Sequence, residues 1–266
     1  MNPRTTPFSF AIALLLGALP VAARAQDPAP GKGPDKEIAE QIATLKECVL
    51  DKKFARDEEG RAIIDALLQK LNAGVDDKDK VAITKALEGA LMQGVKVRPH
   101  DNKVLYMAAA AALGYCGPEG ARVLRSAYES KRFPMKKEWV PLREQFLKSL
   151  GKTKDETMVK FLCNEAQNHP EPALMAAAGE ALGNFEECKE VVRKEITSEL
   201  LIRWGDLAEK ASQSGAGNTQ AQIASDTLAA VSDKWNTTLA KVTRQNFRKF
   251  ADWQNWYQKN KNLPWQ

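Results

Sequence analysis

Leucine and alanine recur at fixed distances before glycine along this chain. Leu113, Ala110, Ala109 and Leu105 stand one, four, five and nine residues ahead of Gly114. Leu150, Leu147, Phe146 and Leu142 hold the same offsets before Gly151, and Leu182, Gly179, Ala178 and Leu174 hold them before Gly183. Steps of three or four residues return to one side of an α-helix, so each set shares a face. The spacing predicts three helices buried on that face. Each glycine is expected to end its helix in the left-handed conformation, which costs it little. Ile63, Leu67, Leu68 and Leu71 before Asn72, and Ile223, Thr227, Leu228 and Val231 before Ser232, are weaker copies. The reference positions 72, 114, 151, 183 and 232 lie 42, 37, 32 and 49 residues apart, an interval that suits a degenerate helix-pair repeat.

A second helix is expected after each reference position. Asp79–Met92 carries Val81, Ile83, Leu87 and Leu91, and Glu119–Tyr128 starts after Pro118. Lys154–Ala166 carries Met158, Val159, Phe161 and Leu162, and Glu187–Ile202 carries Val191, Val192, Ile196 and Leu200. Ser232 or Asp233 is expected to cap a last one, with Trp235, Leu239 and Val242 inward. Ahead of the array, Ile38, Ile42, Leu45 and Val49 make Lys36–Lys52 an amphipathic helix. Arg98-Pro99-His100-Asp101, Phe133-Pro134 and His169-Pro170-Glu171-Pro172 separate the units, because proline stops the helix before it. No stretch alternates like a strand. The fold class expected is all-α: an α-α superhelix of about five helix pairs with capping helices.

Composition agrees with packed helices. The 266 residues are 44% hydrophobic but 7% aromatic, and alanine is plentiful. Residues 1–25 have the form of a signal peptide: Arg4, then the apolar run Phe8–Leu19, then Ala23-Arg24-Ala25, with cleavage before Gln26. The alternative is a retained anchor, but the run is shorter than the roughly 18–20 residues that spanning needs. Residues 26–35, rich in proline and glycine, are expected to be a disordered leader. Removing residues 1–25 takes away Arg4 and Arg24 and no acid, so the formal charge falls from +5 to +3. That balance argues against nucleic-acid binding. The expected localisation is exported, periplasmic or extracellular.

Paired helices with a Leu-Gly ending to the first member, over about residues 60–243, resemble HEAT-type repeats. The best copies are 105–130, 138–167 and 174–202. Trp253-Gln254-Asn255-Trp256 with Leu263-Pro264-Trp265 looks like the endings that follow such repeats in exported bacterial proteins. The resemblance implies a HEAT-like domain over 36–245, a capping segment over 246–266 and a binding or scaffolding role. HEAT repeats have no invariant catalytic residue, so none is carried over.

Candidate chemistry is sparse. Cys48, Cys116, Cys163 and Cys188 contain no Cys-x-x-Cys pair, and burial as small apolar residues is favoured over two disulfides. His100 and His169 sit in connectors and are expected at the surface or as caps. Glu186-Glu187, Asp57-Glu58-Glu59 and Asp76-Asp77 read as helix starts. Only the C-terminal segment stands out: Arg248 and Lys249 lie beside Trp253, Trp256 and Tyr257. These five are the candidate binding residues, although Phe250, Trp253 and Trp256-Tyr257 also step like a buried stripe that closes the array. The function expected is a non-enzymatic protein-binding or scaffold module of a bacterial cell envelope. It would be monomeric, without cofactor, metal, nucleic acid or a membrane span after cleavage. The alternative is a small-molecule-handling enzyme or bilin-lyase-like chaperone on the same repeats. Leu150→Ala is expected to cost about 2–5 kcal/mol; an unchanged denaturation midpoint would refute the repeat register.

Overall fold

The structure, a computed structural model, describes residues 35–94, 96–213 and 218–265, all within one unit, residues 34–266. The expected signal peptide and residues 26–34 of the expected leader lie outside the described residues. Asp35 opens the fold as an N-cap: its carboxylate accepts from the Glu37 amide at 2.8 Å. Among the described residues there are eleven α-helices and no strand. They are α1 (Lys36–Leu50), α2 (Asp57–Ala73), α3 (Asp77–Met92), α4 (Val104–Leu113), α5 (Gly117–Glu129), α6 (Val140–Lys152), α7 (Val159–Asn168), α8 (Pro172–Leu182), α9 (Glu190–Ser212), α10 (Thr219–Thr243) and α11 (Phe250–Asn260). Proline occupies the first turn of α5, α6 and α8, where its missing amide is no loss.

The helices form an all-α superhelical arrangement in two layers. The even helices α2, α4, α6, α8 and α10 adjoin one another in chain order. Each also packs against the odd helix that precedes it, and α1 adjoins α3, α3 adjoins α5, and α7 adjoins α9 on the other side. The leucine register holds: Leu105, Leu113, Leu142, Leu150, Leu174 and Leu182 are all buried.

Four details differ from the expectation. The extensive partner of a Leu-Gly helix is the helix before it rather than the one after: α6 meets α5 far more fully than α7. Periodicity shows that a face is buried but not which neighbour buries it. Second, Gly114 and Gly183 have right-handed φ of −58° and −65°, and Gly151 lies inside α6. Their use is close approach. A Cβ on Gly114 would meet the Ser149 carbonyl and Lys152 Cβ at 3.2 Å, and one on Gly151 would run into the Ala181 backbone. Farther along, one on Gly179 would run into the Trp235 indole. Third, α2 runs past Asn72 and ends at Gly74, whose φ of 93° does require glycine. Of the weak copy before Asn72, Leu67 is fully buried and Ile63, Leu68 and Leu71 are partly buried against the core, while Ile64 is buried in addition. Fourth, α10 is continuous through Ser232. That hydroxyl donates to the Leu228 carbonyl at 2.6 Å within the helix and caps nothing. Val81, Val191 and Ile223 point to solvent. Val191 has a neighbour, Val192, that already leans on the core, and adjacent helical residues are turned by about 100° from each other.

Gly151→Ala is expected to destabilise the chain by about 1–3 kcal/mol, because the new methyl meets backbone that cannot step aside. Chemical denaturation reads this; a variant as stable as the parent would show that the even helices are not held at this spacing.

Candidate functional site

The odd-to-even connectors, 51–56, 93–103, 130–139 and 169–171, lie along one edge of the array. Arginine side chains stitch the first three together. Arg98 is buried and donates through Nε and Nη2 to the Asp57 carboxylate at 2.8–3.0 Å, with Nη2 also reaching the Cys48 carbonyl at 3.3 Å. It lies over the Phe54 and Tyr106 rings, and its amide donates to the Tyr106 hydroxyl at 3.1 Å. Arg132 donates to the Gly94 and Gln93 carbonyls at 3.1 and 2.9 Å. Lys103 donates to the Glu138 carbonyl at 2.6 Å. Asp57, expected simply to start a helix, is thus also the counter-ion of a buried cation.

Arg143 of α6 is buried beside the third connector. Its Nη1 donates to the Tyr128 and Phe133 carbonyls, both at 2.8 Å, and its guanidinium stacks 4.0 Å from the Tyr128 ring. Its Nε is buried with no hydrogen-bond partner, and among the described residues no carboxylate lies within ion-pair distance. It lines an open cleft of about 650 Å³ between the third and fourth connectors, together with Met135, Lys136, Lys137, Val140, Glu171 and Leu174. A second cleft of about 660 Å³ lies between the first and second connectors, against Leu50, Lys52, Phe54 and Lys96.

Behind the first cleft, the Tyr128 hydroxyl donates to Glu165 at 2.5 Å, and burial, then Glu165, push its pKa up. His169 is buried rather than exposed; its Nδ1 accepts from the Glu171 amide at 2.9 Å, which is the capping role expected of it. His100 is exposed. Burial pulls the His169 pKa down against the opposing pull of Glu165 and Glu171, with Arg143 adding to the fall.

The C-terminal candidates divide. Trp253 is buried, packs edge-on to Phe247 at 4.9 Å and donates its indole N–H to Asn236 at 2.6 Å. Trp256 and Tyr257 are half-buried around Trp265, at 5.0 and 6.3 Å, with the Lys194 ammonium 5.4 Å from the Trp265 ring. Arg248 and Lys249 are exposed on the loop before α11, two helical turns away from Tyr257, roughly 12 Å by helical rise. Trp256, Tyr257 and Trp265 therefore form one cluster, and Trp253 and the two cations stand outside it. Phe250 leans on Trp204 at 5.9 Å, which closes α11 onto α9.

The four cysteines are free. Burial pushes Cys163 up to about 12 and Cys188 up to about 11, which keeps both as neutral thiols. Among the described residues no His/Cys/Asp/Glu group has a metal-binding arrangement, and no helix is long and apolar enough to cross a membrane. No family model matches the chain, and no curated protein or solved structure matches it. Sequence reasoning passed over the arginine stitching and the Arg143 cleft. Arg98 and Arg132 stand beside the connector prolines, which is the one signal that marks them.

Because the folded state lowers the His169 pKa below its ordinary 6.5, the unfolded chain takes up the proton first as pH falls. The contribution of neutral His169 is complete above about pH 6.5 and declines below it. The stability difference between the parent and His169→Gln should therefore shrink from pH 7.5 to pH 5. A difference that stays constant over that range would place His169 outside any proton linkage.

Proposed function

We propose that the chain is an exported, non-enzymatic binding or scaffold module of a bacterial cell envelope, built on HEAT-like repeats, that holds a protein partner along the surface of its array. The observation that carries this is the connector edge. Successive repeats each contribute a loop to it, and Leu50, Val97 and Met135 are exposed there at 53%, 38% and 57% beside the two clefts. Apolar side chains held in the open on a rigid, repeating edge suit a partner that lies across several repeats. Export is supported by the Phe8–Leu19 run followed by Ala23-Arg24-Ala25.

A second role has one observation in its favour. A cleft of about 650 Å³ with a buried arginine in its wall is the size of a small-molecule site. Capture from envelope extract with the tagged chain, followed by calorimetry on the recovered protein and mass spectrometry of the native complex, separates the two. A stoichiometric protein partner that rebinds the purified chain is the expected result. A retained small molecule with no protein that rebinds would favour the second role.

A further inference from the structure

We infer that the connector edge binds an acidic, extended segment of the partner, with an apolar side chain seated in the cleft beside Met135 and a carboxylate drawn to Arg143. This rests on the protein-binding role proposed above and names the chemistry of what is bound.

Positive charge is concentrated on one edge of the array. The connectors 51–56, 93–103, 130–139 and 169–171 carry ten lysines and arginines against four acids, Asp51, Asp101, Glu138 and Glu171. The turns at the other ends of the helices are balanced, with Asp76, Asp155, Glu156, Glu186 and Glu187 against Lys154, Lys189, Arg244, Arg248 and Lys249. Six connector lysines, Lys52, Lys53, Lys96, Lys131, Lys136 and Lys137, are exposed. None of the six has an ion-pair partner among the described residues. On the helices, by contrast, Arg61, Arg122 and Arg125 each meet a carboxylate one turn away. Of the connector acids, Asp51 already accepts from the Lys53 and Ala55 amides. The edge thus presents unneutralised positive charge, which draws an acidic chain to it and orients it there.

Arg143 supplies the second and independent observation. Arg98 and Arg143 are both buried guanidinium groups, at 1% and 5% exposure. The structure gives Arg98 both oxygens of Asp57, whereas Arg143 has two neutral carbonyls and an orphaned Nε. A buried cation without a counter-ion is poorly stabilised. The open cleft along its flank is where an incoming carboxylate reaches it. Met135, Val140 and Leu174 make the rest of that wall apolar, so the matching ligand has an apolar side chain next to an acid. Free phosphate or nucleic acid would use the charge but not the apolar wall. Neighbouring helices lie about 8–10 Å apart, so three connectors span about 16–20 Å, which an extended chain of about six residues covers.

The test is selection of displayed random eight-residue peptides on the purified full chain, followed by fluorescence-anisotropy titration of the enriched peptides. The expected result is enrichment of Asp or Glu adjacent to a large apolar residue, with binding that weakens as salt rises. Lys136→Glu with Lys137→Glu should weaken binding at least tenfold. Met135→Glu, at an exposed site that leaves the core intact, should do the same, while Lys241→Glu on α10 should leave it unchanged. Basic or charge-neutral enrichment, no enrichment, or binding indifferent to these variants would overturn the inference. So would equal competition by inorganic phosphate or a single-stranded oligonucleotide. If the Lys136→Glu/Lys137→Glu/Met135→Glu chain still captures the same protein partner, this surface is wrong and the binding role stands. If the parent captures none, the role itself fails.

Discussion

The close approach of the even helices is the constraint on which the rest of the array depends. α6 reaches α8 where Gly151 faces the Ala181 backbone, and α8 reaches α10 where Gly179 faces the Trp235 indole. Thr238 secures the second contact by donating its hydroxyl to the Gly179 carbonyl at 2.8 Å. With no side chain to hold them apart, the helices bring Leu147, Leu150, Leu174 and Leu182 into a continuous core. Alanine fills α4 and α8 for the same reason: a larger residue at Ala109 or Ala178 has nowhere to go, since both are fully buried. No helix pair buries its apolar faces alone, so order in one repeat depends on order in the next.

Polar groups set the edge rather than the core. Arg98 joins the first two connectors and Arg132 the second and third, each by donating to main-chain carbonyls near a helix end. Asp57 neutralises Arg98, and nothing of the kind neutralises Arg143. Clefts open at both junctions, and the one between the third and fourth connectors has Arg143 in its wall.

The array ends differently from how it repeats. α9 and α10 are long, and Trp204, Trp235 and Phe250 meet between α9, α10 and α11 at 5.9–6.1 Å. Trp253 and Phe247 extend the same contact. Aromatic rings cover a terminal apolar face in few residues because each buries a large area. Their stepping along α11 places Trp253 inward, and it is the face carrying Trp256, Tyr257 and Trp265 that keeps partial access to solvent.

The leucine offsets were enough to show helices and most of their buried faces, because a 3.6-residue period is a local property that the chain expresses without reference to its neighbours. They were not enough to show that α6 pairs with α5 rather than α7, or that α10 passes unbroken through Ser232. Nor could they show that the glycines serve contact instead of a left-handed turn. Each of those depends on which residue from far along the chain arrives at a given point. Arg143 is the clearest case. In sequence it is one basic residue near a proline, indistinguishable from Arg98 or Arg132. Only tertiary structure decides that Asp57 arrives beside Arg98 while Arg143 is buried with no ion-pair partner among the described residues, because pairing of charges across dozens of residues leaves no periodic trace.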